Sequence, residues 1–212
     1  MRHVLVETNW VVAYAAPAYQ RVPAALELLR RAEKGELKLY LPSISISEAP
    51  NPISQRYQIR NEADRIRQFL LWGKEEGIVD NSGDHYTRRV LDQMETRVKN
   101  DLADLDKVLE RLKKQTGLEV FPLDAEMLER CLALSYERLE LKPFDQAILS
   151  AVLVRCERLA KDGEKDFAFC ELDTDLQPWD GNRNRKHRLA DLYEKAGIRV
   201  YGDFLLGSPE GS

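Results

Sequence analysis

Apolar and polar positions along the chain fall into two regimes. Short apolar runs read as strands: HVLV at 3–6, LKLYLPSIS at 37–45, LEVFPLD at 118–124, DFAFCELD at 166–173 and IRVYGDF at 198–204. Between them the apolar residues take helical spacing. Ala25, Leu28, Leu29 and Ala32 share one face, and that pattern stops at Gly35, a residue suited to a helix end. Residues 125–139 read as helical. So does LKPFDQAILSAVLVRCERLAKDG, with Pro143 in its first turn and Gly163 at its end. LADLYEKAG supplies a last helix before the final strand. Strand, helix and strand within the first 45 residues form a βαβ unit, which requires parallel strands. Continued along the chain, the alternation predicts an α/β protein. Its three layers would be a central parallel sheet with helices on both faces.

The middle of the chain breaks this rhythm. Residues 55–77 and 88–115 are rich in Arg, Glu, Lys, Leu and Asp and poor in β-branched residues. In the second stretch Leu102, Leu105, Val108, Leu109 and Leu112 fall on one helical face. GIVDNSGDHYT (77–87) separates the two with Gly, Asn and Asp. The pattern predicts a helical hairpin inserted over about 55–116 into a single domain of residues 1–207. Its charges, Arg56, Arg60, Arg65 and Arg67 among them, read as a solvated face. The last five residues, SPEGS, read as a disordered tail.

Composition narrows the class. With 43% hydrophobic and 32% charged residues, the chain reads as a soluble globular protein. Its net charge of −4 advertises no nucleic-acid surface, yet does not exclude one, because charge can be segregated by face. The longest apolar run, AILSAVLV, is too short to span a bilayer, and the chain enters its first strand without an apolar signal region. Cys131, Cys156 and Cys170 are odd in number and widely spaced. They read as buried free thiols of a reducing cytoplasm rather than as zinc ligands. His3, His85 and His187 stand alone.

The candidate chemistry lies in the acids. In an open parallel sheet ligands bind beyond the carboxyl ends of the strands, where the strand order reverses. Glu7 follows the first strand, Glu48 the second, and Asp173 and Asp175 the fourth. Asp145 opens the strongest helix, whose partial positive charge favours a carboxylate. Singly, Asp145 is a helix cap and Asp175 a turn residue. Together at one sheet edge they would repel one another, and the usual resolution is a hard divalent cation with oxygen ligands, Mg²⁺ or Mn²⁺. Such an ion activates water and stabilises displacement at phosphorus. Neither a G-x-G-x-x-G nor a G-x-x-x-x-G-K-[ST] run is present.

The runs VLVETN, LYLPSISISE, PFDQAIL and FAFCELDTDL, in that order, resemble the motifs of the PIN-domain nucleases over nearly the whole chain. That resemblance implies Mg²⁺- or Mn²⁺-dependent cleavage of RNA phosphodiesters. It implies Glu7, Glu48, Asp145 and Asp173 as catalytic acids, with Glu7, Asp145, Asp173 and Asp175 on the metal. Thr8 and Asn9 would help to arrange the first acid. Because many small PIN proteins are toxins, it also implies an antitoxin and a homodimer as partners. The chain departs from the pattern in four ways. Glu7 stands where Asp is expected, and Glu171 where Thr is expected. Prolines follow Glu48, which moves the expected helix start to near Pro52. The insertion makes the chain much longer than the compact toxins.

Arg183, Arg185, Lys186 and Arg188, in the run NRNRKHR, are candidates for phosphates flanking the scissile bond, with a solvated loop as the alternative. Trp179 is a candidate for base stacking, and Trp10 reads as core. The rival functions are a non-catalytic RNA-binding or scaffold protein that keeps the fold, and a hydrolase of small phosphates.

Overall fold

The computed structural model describes residues 1–57, 60–137 and 139–207, with the side chains of 60–62 also outside the description. The sequence-predicted tail and the Arg60 side chain therefore lie outside the described residues.

The apolar runs become five strands: β1 (Arg2–Leu5), β2 (Leu37–Pro42), β3 (Leu118–Phe121), β4 (Phe167–Cys170) and β5 (Ile198–Tyr201). All pair in parallel, in the order β3-β2-β1-β4-β5. The chain first winds outward from β1 through β2 to β3, then returns to the other side of β1 for β4 and β5. The order therefore reverses between β1 and β4, which places the expected crevice at their carboxyl ends.

Successive strand residues alternate between two cores. Val4, Leu39, Leu41, Ala168 and Cys170 join one core, with Trp10 and Val11 of α1 (Thr8–Ala15) and Leu28 and Leu29 of α2 (Pro23–Glu33). Leu5, Tyr40, Phe169 and Val200 point the other way. They meet Met127 of α8 (Ala125–Tyr136), Leu149 and Val152 of α9 (Pro143–Lys161) and Tyr193 of α10 (His187–Lys195). The sheet is thus covered on both faces, as the alternation of elements predicted. Each fully buried Leu or Val contributes on the order of 1.5–3 kcal/mol. Trp10 is core, as expected: it is fully buried, stacks on Tyr14 at 5.5 Å and donates its indole N–H to the Ala25 carbonyl at 3.2 Å. His3 is a buried strand residue, its ring nitrogens taken by Tyr40 at 3.0 Å and Glu164 at 2.8 Å. Gly117 leads into β3 at φ +83°, where an added Cβ would sit 2.4 Å from the Ala32 carbonyl oxygen.

Several boundaries differ from the sequence reading. The second strand stops at Pro42, and SIS enters α3 (Ser43–Glu48) instead of extending the sheet. Helix does not wait for Pro52. After Ala49, α4 (Pro50–Arg56) begins with Pro50 in its first turn, where the missing N–H costs nothing, and the Ile53 N–H still reaches the Ala49 carbonyl at 3.1 Å. The hairpin is α5 (Arg60–Glu75) and α6 (Asn81–Ala103), so its second helix begins at Asn81 rather than near 88. Asp80 explains the early start, because its carboxylate caps the Gly83 N–H at 2.6 Å. The chain turns again at Asp104. The apolar stripe is therefore split between the end of α6 and α7 (Leu105–Leu112), which buries Leu105, Leu109 and Leu112 in the first core. Among the described residues no helix is long and apolar enough to cross a membrane. Cys156 and Cys170 are buried free thiols as expected, whereas Cys131 is only half-buried.

Candidate active site at the carboxyl edge of the sheet

Three acids leave the sheet edge in the same way. Glu7, just past β1, caps α1 by accepting the Asn9 N–H at 2.8 Å. Glu171, just past β4, accepts the Asp173 N–H at 2.6 Å, and Asp173 accepts the Asp175 N–H at 2.9 Å. Each carboxylate bonds the backbone two residues on, which bends the chain sharply out of the strand. This turn also ends the fourth strand at Cys170, earlier than the predicted 173. Asn9 ties the two exits together, donating its side-chain amide to Glu171 Oε1 at 3.4 Å.

Glu48 comes from the end of α3 and accepts a hydrogen bond from the Thr8 hydroxyl. Thr8 therefore holds the second acid, whereas the backbone of Asn9 holds the first. Asp145 sits in the first turn of α9, whose N-terminus has no side-chain cap. Asp145 Oδ2 and Glu171 Oε2 are buried with no hydrogen-bond partner.

The electrostatics show that these acids feel one another. Burial pushes Glu7 up to about 8, against the Asn9 N–H, with the charges of Glu48 and Asp173 adding to the rise. Burial, with Glu7 next to it, pushes Glu171 well above the usual carboxylate range. Asp145 is raised by burial first and then by Asp173, with Asp175 and Glu48 adding to the rise and Lys142 opposing it. Lys142 pairs with Asp175 at 3.2 Å.

The five acids expected from the sequence thus form a linked set near the carboxyl edge of the sheet: Glu7 feels Glu48 and Asp173, and Asp145 feels Asp173, Asp175 and Glu48. Glu171 was noticed in the sequence only as an extra negative charge. It proves to be the most deeply buried acid of the group, fully shielded from solvent. Its place one residue past β4, as Glu7 stands two past β1, was the signal available. Among the described residues, however, no group of three or more His, Cys, Asp or Glu side chains is placed to hold a metal ion. The donor set still suits a hard divalent cation, being all carboxylate oxygen with two buried oxygens unpartnered.

The cations of residues 182–188 are largely engaged. Arg185 pairs with Asp191 at 3.1 Å and Glu194 at 2.8 Å. Lys186 donates to the carbonyls of Thr174 and, at 3.3 Å, Asp175, while Arg188 donates to the Glu137 carbonyl at 2.6 Å. Arg183 adopts a left-handed backbone at φ +63°. Trp179 is half-buried, packs against the second core and pairs its backbone with Arg185. In the hairpin, Arg67 is bound to Asp64, Asp92 and Glu95, which fits the solvated, ion-paired face expected there.

No family model, no curated protein and no solved structure matches this chain.

Proposed function

We propose that this chain is a PIN-like, metal-dependent endoribonuclease. The observation that carries the reading is the set of carboxylates at the β1–β4 switch, buried and mutually repelling, with two oxygens left without partners. An acid cluster of this kind is costly to build, and a bound cation is the physical compensation. Glu7, Asp145 and Asp173 would hold the ion, with Glu48, Asp175 and the newly found Glu171 at its margin. Bound there, Mg²⁺ or Mn²⁺ would supply a water of lowered pKa and Lewis acidity toward a phosphodiester.

The chain's own residues supply the positioning. The Asn9 N–H fixes Glu7, so the extra methylene of Glu relative to Asp is held in one conformation. The Thr8 hydroxyl fixes Glu48, and the Asn9 amide fixes Glu171. The N-terminus of α9 stabilises the charge on Asp145 without spending its second oxygen.

The test is cleavage of single-stranded RNA by the full chain with Mn²⁺, run beside Asp145→Asn and Asp173→Asn. Each change should lower the rate by about a thousandfold or more, in line with removal of a residue that the site depends on. Activity that survives both changes would sink the assignment. A second reading, a non-catalytic RNA-binding or scaffold protein on the same fold, is favoured by the lack of a ready three-residue ligand group among the described residues. Calorimetry separates the two, since RNA binding without Mn²⁺ uptake supports the second.

A further inference from the structure

Beside the acid cluster lies a cavity of about 460 Å³ that the acids themselves do not explain. Leu139, Leu141 and Leu189 form its apolar wall, and Lys186, His187 and Arg188 its polar one. Asp175 lines it as well, and its backbone N–H donates to the Asp173 carboxylate at 2.9 Å, so the cavity adjoins the acid edge. Its volume suits one small ligand, since such pockets run roughly 300–1,000 Å³. Glu140, at the rim, holds a left-handed backbone at φ +56°, a strained state for a residue with a side chain.

The two long cations here are anchored but not used up. Among the described residues Arg188 donates to the Glu137 carbonyl, and the guanidinium fork has five N–H donors. Lys186 lines the cavity with its ammonium held by the carbonyls of Thr174 and Asp175. Pre-positioned donors over an apolar wall match a ligand with an anionic end and a flat apolar body. A second hollow of about 470 Å³ shares Arg188 and carries Tyr136, a residue 84% exposed. Its lining mixes Arg188 and Lys195 with Glu137 and Asp191, and an exposed ring beside such a hollow is an arrangement on which a neighbouring base can stack.

We propose that this cavity seats one nucleotide of a single-stranded RNA next to the scissile phosphate, with Arg188 on its phosphate and Tyr136 stacked on the next base along the strand. The inference rests on the ribonuclease reading and gives it a strand path, from the acids past Asp175 and Arg188 to Tyr136. Glu140, an acceptor at the rim, would face the donors of a base edge rather than a phosphate.

Binding of a labelled short single-stranded RNA to the full chain tests this, measured with chelator present so that neither metal nor cleavage enters. Arg188→Ala should weaken binding about tenfold and lower the slope of log affinity against log salt by about 0.7, the loss of one phosphate contact on a single strand. Tyr136→Ala should weaken binding about tenfold with the slope unchanged, as expected for lost stacking. Wild-type affinity and slope in Arg188→Ala would overturn the proposal. A free nucleoside monophosphate that binds as tightly as the RNA would also overturn it, because the site would then not read a strand. The outcomes stay separate from those of the cleavage assay. Asp145-dependent cleavage with no effect of Arg188→Ala leaves the nuclease standing and removes the pocket. RNA binding that depends on Arg188 without any cleavage does the reverse.

Discussion

The helical hairpin and the sheet edge use the same residue types to opposite ends. In the hairpin, acids meet cations. Arg67 joins Asp64 on its own helix to Asp92 and Glu95 on the next, and Asp84 is held between Lys74 and Arg88. The Arg88 bond, helped by Lys74, draws the Asp84 carboxyl below the usual range. At the sheet edge Glu7, Glu171 and Asp145 are raised instead, with burial the first cause in each. Lys142, a cation at this edge, is committed to Asp175. Charge in the hairpin is spent on joining two helices. Charge at the edge is left uncompensated, which costs stability and is therefore the mark of a place built for something else.

The contrast can be broken first by pH. Glu7 carries an ordinary value of 4.5 to about 8 on folding, so the folded state binds the proton more tightly than the unfolded state. The stability this confers is complete below about pH 4.5 and is lost as pH rises through about 8. Metal-free protein should therefore lose on the order of 4 kcal/mol between pH 5 and pH 9 by urea unfolding. Glu171 adds loss of the same sign. Saturating Mn²⁺ should flatten the profile; a profile already flat without metal would show that the acids are compensated within the chain.

A smaller effect is expected from Glu171→Gln, which keeps the shape and removes a buried ionisable carboxyl. Metal-free stability at pH 8 should rise by about 1–3 kcal/mol while Mn²⁺ affinity falls. Destabilisation would mean that the Glu171 carboxylate is already well satisfied. Next is Asp80→Ala, which removes the cap of α6 and should cost about 1 kcal/mol. The smallest effect is Arg67→Ala. Its ion pairs are solvent-screened, so the change should appear as faster amide exchange in α5 and α6 that high salt reproduces in the unmutated chain. Loss of cleavage in that variant would tie the hairpin to the site and erase the contrast.

Much of this was legible in the chain. Apolar runs gave all five strands, because a sheet buried on both faces needs near-continuous apolar residues. The acids Glu7, Glu48 and Asp173 stand out because they follow those runs, and Asp145 because it opens the strongest helix. What stayed hidden depends on contacts distant in sequence or on single hydrogen bonds. The helix start at Asn81 turns on one bond from Asp80, and the fourth strand ends where Glu171 captures the Asp173 N–H. Glu171 is legible only as an acid where the resemblance expects Thr, because the motif assigns the site to Asp173, two residues on. The partners of Arg185 lie in the helix that follows, and that of Arg188 at the far end of α8, so neither could be assigned from the polar run alone.

The pairing of β1 with β4 sets His3 opposite Phe167, at nearly opposite ends of the chain. A ribosome synthesising this protein exposes Glu7 well before Glu171 and Asp173, which lie more than 160 residues further along. No fragment lacking β4 can bring the acids together, however well its first βαβ unit folds. Closing so large a loop is also slow relative to local pairing. The topology therefore acts as a timer: the carboxylate edge cannot assemble until β4 has been synthesised and has docked beside β1.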